Sequence, residues 1–283
     1  MSKFFDETQK ARQRVVKGVE PVQLDVVSVM DAIKQNEVED IGPGTPALPN
    51  SRQVQVDKVS SNSIIVSKND TLPTEPVSEA YGTLRTRVMR LQASKGIRSI
   101  MLTSAVPAEG KTVTALNLAL SCAKLREQRI LLVDGDLRSR GLTRLLSIPE
   151  GAGLSDVLSE KSTIDEAVLA TEHANLFVVG SGSSCNQPAE LFASPRWSEF
   201  IAWGNQSFDV IIVDGPPIHS LTDAELISAG CDGVLLVVRA LSTPREMVQK
   251  CSSRLDKRKL IGIVFNGLPS SRENRYSYYG VPS

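Results

Sequence analysis

Residues 99–112 read Ser-Ile-Met-Leu-Thr-Ser-Ala-Val-Pro-Ala-Glu-Gly-Lys-Thr. The run Ser99–Thr103 is short and nearly continuous in apolar character, as suits a strand covered on both faces of a parallel sheet. After Thr112, residues Ala115, Leu118, Ala119, Cys122 and Leu125 recur at helical spacing and define one apolar face. Strand, loop and helix follow one another without a break. In that context the loop Ala105-Val106-Pro107-Ala108-Glu109-Gly110-Lys111-Thr112, continued by Val113, forms a candidate phosphate site. Successive backbone N–H groups and the positive end of a helix converge on an anion there. Lys111 is placed to reach the β- and γ-phosphates of a nucleotide, and the Thr112 hydroxyl to ligate Mg²⁺. The match to G-x-x-x-x-G-K-[ST] departs at its first position, where Ala105 stands for glycine.

Working outward, five more apolar runs have the same strand character: Ile130–Val133, Leu176–Val179, Val210–Val213, Val234–Val238 and Ile261–Phe265. The stretches between them leave room for crossover helices. Upstream, Leu84, Val88 and Leu91 place an apolar stripe on a further helix. Alternation of this kind predicts an α/β fold, a doubly wound and mostly parallel sheet flanked by helices. Two of the runs end in acid. Ile130–Val133 leads into Asp134-Gly-Asp136-Leu-Arg138, and Val210–Val213 into Asp214-Gly-Pro-Pro217. In open α/β sheets ligands lie beyond the C-terminal strand ends, so Asp134, Asp136 and Asp214 are expected to converge on the bound phosphates. Phosphoryl transfer uses carboxylates in this setting, to hold the metal and to take a proton from the nucleophile.

The whole chain sets the outer bounds. With 283 residues it can hold one large domain or two small ones. Lys plus Arg total 32 and Asp plus Glu total 32, which gives no bulk attraction to nucleic acid. Cys122, Cys185, Cys231 and Cys251 are scattered without metal spacing and read as reduced core thiols. No stretch has the length and apolarity of a membrane span. Residues 1–62 read as an extension and flexible linker, rich in Gly and Pro from residue 41 onward. The Val22–Ile33 segment fits a helix or a strand, and Ile64-Ile65-Val66 a short strand. The domain is expected over 63–269, and a polar tail over 270–283 with Tyr276, Tyr278 and Tyr279. The basic residues Arg254, Lys257, Arg258 and Lys259 read as a solvated helix end or a docking point for acidic groups.

Taken in order, Glu79-Ala-Tyr-Gly-Thr-Leu-Arg85, Ser104–Thr112, Leu132-Val-Asp-Gly-Asp-Leu-Arg138, Val213-Asp-Gly-Pro-Pro217 and Tyr276-Ser-Tyr-Tyr279 resemble the bacterial tyrosine kinases of capsule and exopolysaccharide assembly. The resemblance covers residues 63–283. It implies a cytoplasmic autokinase of the P-loop, MinD-like superfamily that uses ATP and Mg²⁺ to regulate polysaccharide polymerisation and export. Carried onto this chain, Lys111 holds phosphates and Asp134 is the base toward a tyrosine hydroxyl. Thr112, Asp136 and Asp214 serve the metal or its waters, and Asn266 either contacts the nucleotide base or is a strand-end turn residue. The resemblance also implies that Tyr276, Tyr278 and Tyr279 are phosphorylated by a neighbouring subunit. Its implied partners are a separate membrane-anchored chain-length-determinant protein, further copies of the chain and a phosphotyrosine phosphatase. That partner would hold the kinase at the inner face of the membrane.

Three departures stand out. Gly82 replaces the middle Arg of a Glu-x-x-Arg-x-x-Arg pattern used in the family for ring-like association. Ala108 replaces a glycine, and Arg140 stands where proline is common. The competing readings are a MinD- or ParA-like switch ATPase and a nucleotide-binding regulator without catalysis. The first has an extra lysine at the start of the loop, where this chain has Ala105 and Val106.

Overall fold

The computed structural model describes residues 53–54, 75–218 and 222–267. The tail tyrosines, the linker, and the segments Val22–Ile33 and Ile64–Val66 lie outside the described residues. Among the described residues the order is β1 (Gln53–Val54), α1 (Glu75–Lys95), β2 (Ser99–Ser104), α2 (Lys111–Ala123) and β3 (Ile130–Asp134). There follow α3 (Gly141–Leu145), α4 (Leu154–Leu158), α5 (Ile164–Ala167), β4 (Val168–Thr171), β5 (Leu176–Val179), α6 (Pro188–Ala193) and α7 (Pro195–Ser207). The last elements are β6 (Val210–Asp214), α8 (Thr222–Gly230), β7 (Gly233–Arg239), α9 (Arg245–Ser252) and β8 (Leu260–Asn266).

The sheet order is β1-β4-β5-β3-β6-β2-β7-β8, with every pairing parallel except β4 with β5. All six expected strands are present, lengthened by a residue at one or both ends except for β5. The antiparallel strand β4 escaped the sequence reading. Its four residues, Val-Leu-Ala-Thr, continue directly from α5 and carry no turn signal of their own. Leu125 was expected on the buried face of α2, but the helix ends at Ala123 and Leu125 is 37% exposed.

The parity of the strands sorts the core into two layers. Met101, Leu131, Val133, Val213 and Leu236 face one side, beneath α7 and α8. Ile100, Leu102, Leu132, Ile212 and Leu235 face the other, beneath α1 and α2. Because side chains alternate along a strand, Asp134 and Asp214 fall on the α2 side, two residues beyond Leu132 and Ile212. The register aligns Leu102, Asp214 and Asp134 across three neighbouring strands. This alignment carries both carboxylates to the start of α2.

Polar ties fix the opposite end of the sheet. Asp232, just before β7, accepts hydrogen bonds at one oxygen from the Arg98 and Ser99 N–H groups and from the Ser99 hydroxyl. The Asn175 amide donates to the carbonyls of Ala123, Leu125 and Gln128. Of the four basic residues near α9, Arg254 and Lys259 are tied to α8, whereas Lys257 and Arg258 are exposed as expected. Lys259 donates to the carbonyls of Ser228, Ala229 and Cys231 at the end of α8, and Arg254 pairs with Glu225 at 2.7 Å. Cys122, Cys231 and Cys251 are buried free thiols as expected, whereas Cys185 is only half-buried. Arg85 of α1 donates to the Ser121 carbonyl, so it ties α1 to α2, and a Cβ at Gly82 would meet nothing within 4 Å.

Replacing Asp232 with alanine removes the acceptor of three donors. We expect a loss of roughly 1–3 kcal/mol in unfolding free energy by urea denaturation, without a change in fold.

Candidate functional site

The site is built on β2, β6 and β3, where the sheet changes direction. The chain leaves β2 through α2 to reach β3 on one side, and leaves β6 through α8 to reach β7 on the other. Beyond the strand ends the ladder continues with Gly135 N–H to the Asp214 carbonyl and Gly215 N–H to the Leu102 carbonyl, both at 2.9 Å. Position 135 must be small. A Cβ there would lie 2.9 Å from the Val213 side chain and 3.2 Å from the Asp214 carbonyl oxygen.

The loop between β2 and α2 contains two left-handed residues, Ala108 at φ 65° and Gly110 at φ 91°. Glycine at 110 satisfies that geometry and also leaves room for the Asn266 side chain packed against it. Alanine at 108 adopts it at a cost of about 1–2 kcal/mol. Among the described residues, the amides from Ala108 to Val113 make no backbone hydrogen bond, which leaves a run of N–H groups at the positive end of α2. Glu109, expected among the nucleotide contacts, turns its side chain elsewhere. Its carboxylate accepts from the Val106 N–H at 2.9 Å, from the Arg239 N–H at 3.3 Å and from the Thr243 hydroxyl. Two of the expected loop residues therefore face each other rather than an anion: the Val106 N–H is already engaged. Asn266, at the end of β8, donates to the Glu109 carbonyl at 2.9 Å and braces the loop.

Four charges converge at the start of α2. Lys111 Nζ lies 3.0 Å from Asp136 and 3.7 Å from Asp214, and it is nearly buried. Burial works against the ammonium, but Asp214 and Asp136 outweigh it and raise its pKa above the ordinary lysine value. Asp136 is buried too, yet Lys111 and the Ser139 N–H hold its carboxyl below the usual range. Asp134 and Asp214 are fully buried. Burial pushes Asp134 up to about 6, against the hydrogen bonds of Thr143, which donates to Oδ2 through both N–H (2.8 Å) and hydroxyl (2.6 Å). Burial likewise pushes Asp214 up to about 7, partly offset by Lys111.

The second oxygen of Asp134 has no hydrogen-bond partner, and those of Asp214 have none at close distance, with only the Lys111 ammonium at 3.7 Å and the Thr112 hydroxyl nearby. Buried carboxylate oxygens in that condition suit a cation, its water ligands or a proton donor. Among the described residues no group of three or more His, Cys, Asp or Glu side chains forms a metal cage. A Mg²⁺ shared between one or two carboxylates, a hydroxyl and phosphate oxygens needs none. The Thr112 hydroxyl, Asp136 and Asp214 lie 3.5, 3.0 and 3.7 Å from Lys111 Nζ, so these oxygens surround one point. Arg140 has φ 50° and donates to Ser181 Oγ at 2.8 Å, so proline, held near −65°, is incompatible with this backbone. Sequence reasoning missed Thr143. Its only signal was position, nine residues beyond Asp134 at the first turn of a short helix.

Two outcomes follow from this geometry. Ala108→Gly relieves the left-handed alanine, and after the greater chain entropy of glycine we expect a gain of about 0.5–1 kcal/mol in thermal unfolding. Asp134 and Asp214 have folded-state pKa values above their unfolded ones, so the folded protein holds more protons than the unfolded chain. Without ligand, stability therefore falls as pH rises from about 4 to 7. Asp214→Asn is expected to raise the melting temperature of the ligand-free protein at pH 8, while Mg-ATP no longer raises it further.

No family model matches the chain. It is 35% identical over 222 residues to tyrosine-protein kinase YwqD of Bacillus subtilis (strain 168), covering 76% of this chain and 93% of that one. It is 34% identical over 205 residues to tyrosine-protein kinase CpsD of Streptococcus pneumoniae, covering 71% and 88%. Among solved structures, the chimerical protein CapA2B2 superposes with a TM-score of 0.66 at 30% identity, over 78% of this chain and 95% of the other. The septum site-determining protein MinD of Pyrococcus horikoshii, solved with Mg-ADP, shares the fold at a TM-score of 0.51 and 23% identity, over 59% and 69%. No helix among the described residues is long and apolar enough to cross a membrane. By its similarity to YwqD and CpsD over most of their length, and by its sheet and loop, the chain belongs to the family of bacterial tyrosine-protein kinases, enzymes of the P-loop fold.

Proposed function

We propose that the chain is an ATP-dependent protein-tyrosine autokinase of capsule or exopolysaccharide biosynthesis, with its domain over 63–269 and its acceptor tyrosines in the tail. The observation that carries the reading is the buried cluster of Lys111 with Asp134, Asp136 and Asp214 at the start of α2. In this scheme the amides of Ala108–Val113 and the Lys111 ammonium hold the phosphates of ATP. Thr112, Asp136 and Asp214 hold Mg²⁺, directly or through water. The ion supplies charge neutralisation at the phosphate oxygens.

Asp134 acts on the acceptor. Thr143 locks its Oδ2, which leaves Oδ1 to accept the proton of a tyrosine hydroxyl. As the tyrosine oxygen bonds to the γ-phosphorus, the bond from that phosphorus to the bridging β,γ-oxygen breaks. ADP carries away the electron pair, and the proton passes to Asp134. A carboxyl near 6 is a stronger base than an ordinary aspartate yet is ionised at pH 7–8, which suits this task. Phosphates on Tyr276, Tyr278 and Tyr279 each add about −1.5 to −2 charges and drive like-charged subunits apart. Self-association, an activating membrane-anchored chain-length-determinant protein and a phosphatase complete the proposed cycle at the inner face of the membrane. The similarity to wzc of Salmonella typhimurium, which covers 74% of this chain but 29% of that longer protein, supports a need for further polypeptide in that setting.

Incubation with Mg-ATP and the activator is expected to give phosphotyrosine, read by mass spectrometry and antibody. Lys111→Met abolishes it, and Tyr→Phe at 276, 278 and 279 together removes at least ~90% of it. An undiminished signal in the triple variant would take the tail out of the mechanism. ATP-driven dimerisation with hydrolysis and no phosphotyrosine would instead favour a switch ATPase.

A further inference from the structure

Glu109 is 2% exposed, so its carboxylate is withdrawn from solvent. Its charge is satisfied by three donors from two places in the chain. Within the loop it takes the Val106 N–H, three residues back. Across the sheet edge it takes the Arg239 N–H at the end of β7 and the Thr243 hydroxyl in the segment leading to α9. The Glu109 carbonyl meanwhile accepts from Asn266 at the end of β8. One residue thus joins the β2–α2 loop to the ends of the two strands beyond it.

That connection coincides with strain. The loop holds two left-handed residues, Ala108 and Gly110, on either side of Glu109. A non-glycine residue stays in that region only where its surroundings over-determine it. The hydrogen bonds at Glu109 are the surroundings that do so. We propose that Glu109 and Thr243 form a staple that keeps the phosphate loop preformed, the Glu109 carboxylate positioning the loop while its backbone N–H stays among the amides that face the phosphates. Nucleotide affinity then depends on the segment between β7 and α9, because a loop that is only fractionally in its binding shape binds more weakly by that fraction. The proposal rests on reading residues 105–112 as the nucleotide site, and not on transfer to tyrosine.

The test titrates Mg-ATPγS calorimetrically into the full chain carrying Thr243→Val, Thr243→Ser, Glu109→Gln, or Thr243→Val with Glu109→Gln. Valine preserves the shape of threonine and removes the donor, and Kd is expected to rise roughly tenfold. Thr243→Ser restores the hydroxyl and binds within about twofold of the unsubstituted chain. Glu109→Gln weakens binding by a similar order, and adding Thr243→Val to it costs less than about threefold more, because the two act through one contact. Amide hydrogen exchange of ligand-free Thr243→Val supplies a second reading. The amides of Val106, Thr114 and Arg239, which are hydrogen-bonded to the loop, exchange faster, while those of β3 and β6 keep their protection. Unchanged affinity and exchange in Thr243→Val, or fully additive losses in the double variant, would overturn the staple. Uniform loss of protection across the sheet would overturn it too, by giving Thr243 a general structural role. Phosphotyrosine is not read in any arm, so a failed kinase assay leaves this result interpretable.

Discussion

The structure depends on holding three carboxylates and one ammonium together out of water. Asp134 and Asp214 have no exposure to solvent, and Asp136 and Lys111 have little. One lysine cannot neutralise three aspartates. The cluster is therefore under-compensated: burial displaces Asp134 and Asp214 upward, the neighbouring carboxylates add to it, and Lys111 offsets only part. A protein built only for stability would not keep unpartnered carboxylate oxygens in its interior. In the proposed scheme these oxygens receive a cation and a proton donor that arrive with substrate.

The sheet makes this cluster possible at low backbone cost. Leu102, Asp214 and Asp134 share one register across β2, β6 and β3, and the two-residue period points both acids to the α2 side. That is the side on which Lys111 and Thr112 begin their helix. The apolar residues that precede the acids belong to the two core layers, so burial of Leu132 and Ile212 positions the charges beyond them. The loop is fixed separately, from above and from the flank. Asn266 braces its backbone, and Glu109 reaches Arg239 and Thr243.

Much of this was legible beforehand. The strand runs, the loop at residues 105–112 and the acidic strand ends are local patterns, and the sheet places them as expected. The roles inside the loop were less legible. Glu109 stands in the middle of a phosphate-loop pattern and was grouped with its neighbours, yet its side chain points to a segment 130 residues later in the chain. Asn266 was expected at a nucleotide base or as a strand-end turn residue, and its donation to the Glu109 carbonyl was visible only in the fold. Thr143 gave no signal at all, because a threonine near a helix start is common and its partner is brought to it only by folding.

The sequence by itself determined the α/β class, the position of the phosphate loop and the identity of the acids at the strand ends. Each of these is encoded in a contiguous stretch, through apolar runs, helical periodicity and residue type. Only the tertiary structure decided the strand order, the antiparallel β4, the shared register of Asp134 and Asp214, and the partners of Glu109, Asn266 and Thr143. These depend on contacts between segments far apart in the chain. A buried polar group takes whichever donor the packed fold brings within about 3 Å, and local sequence does not specify that partner.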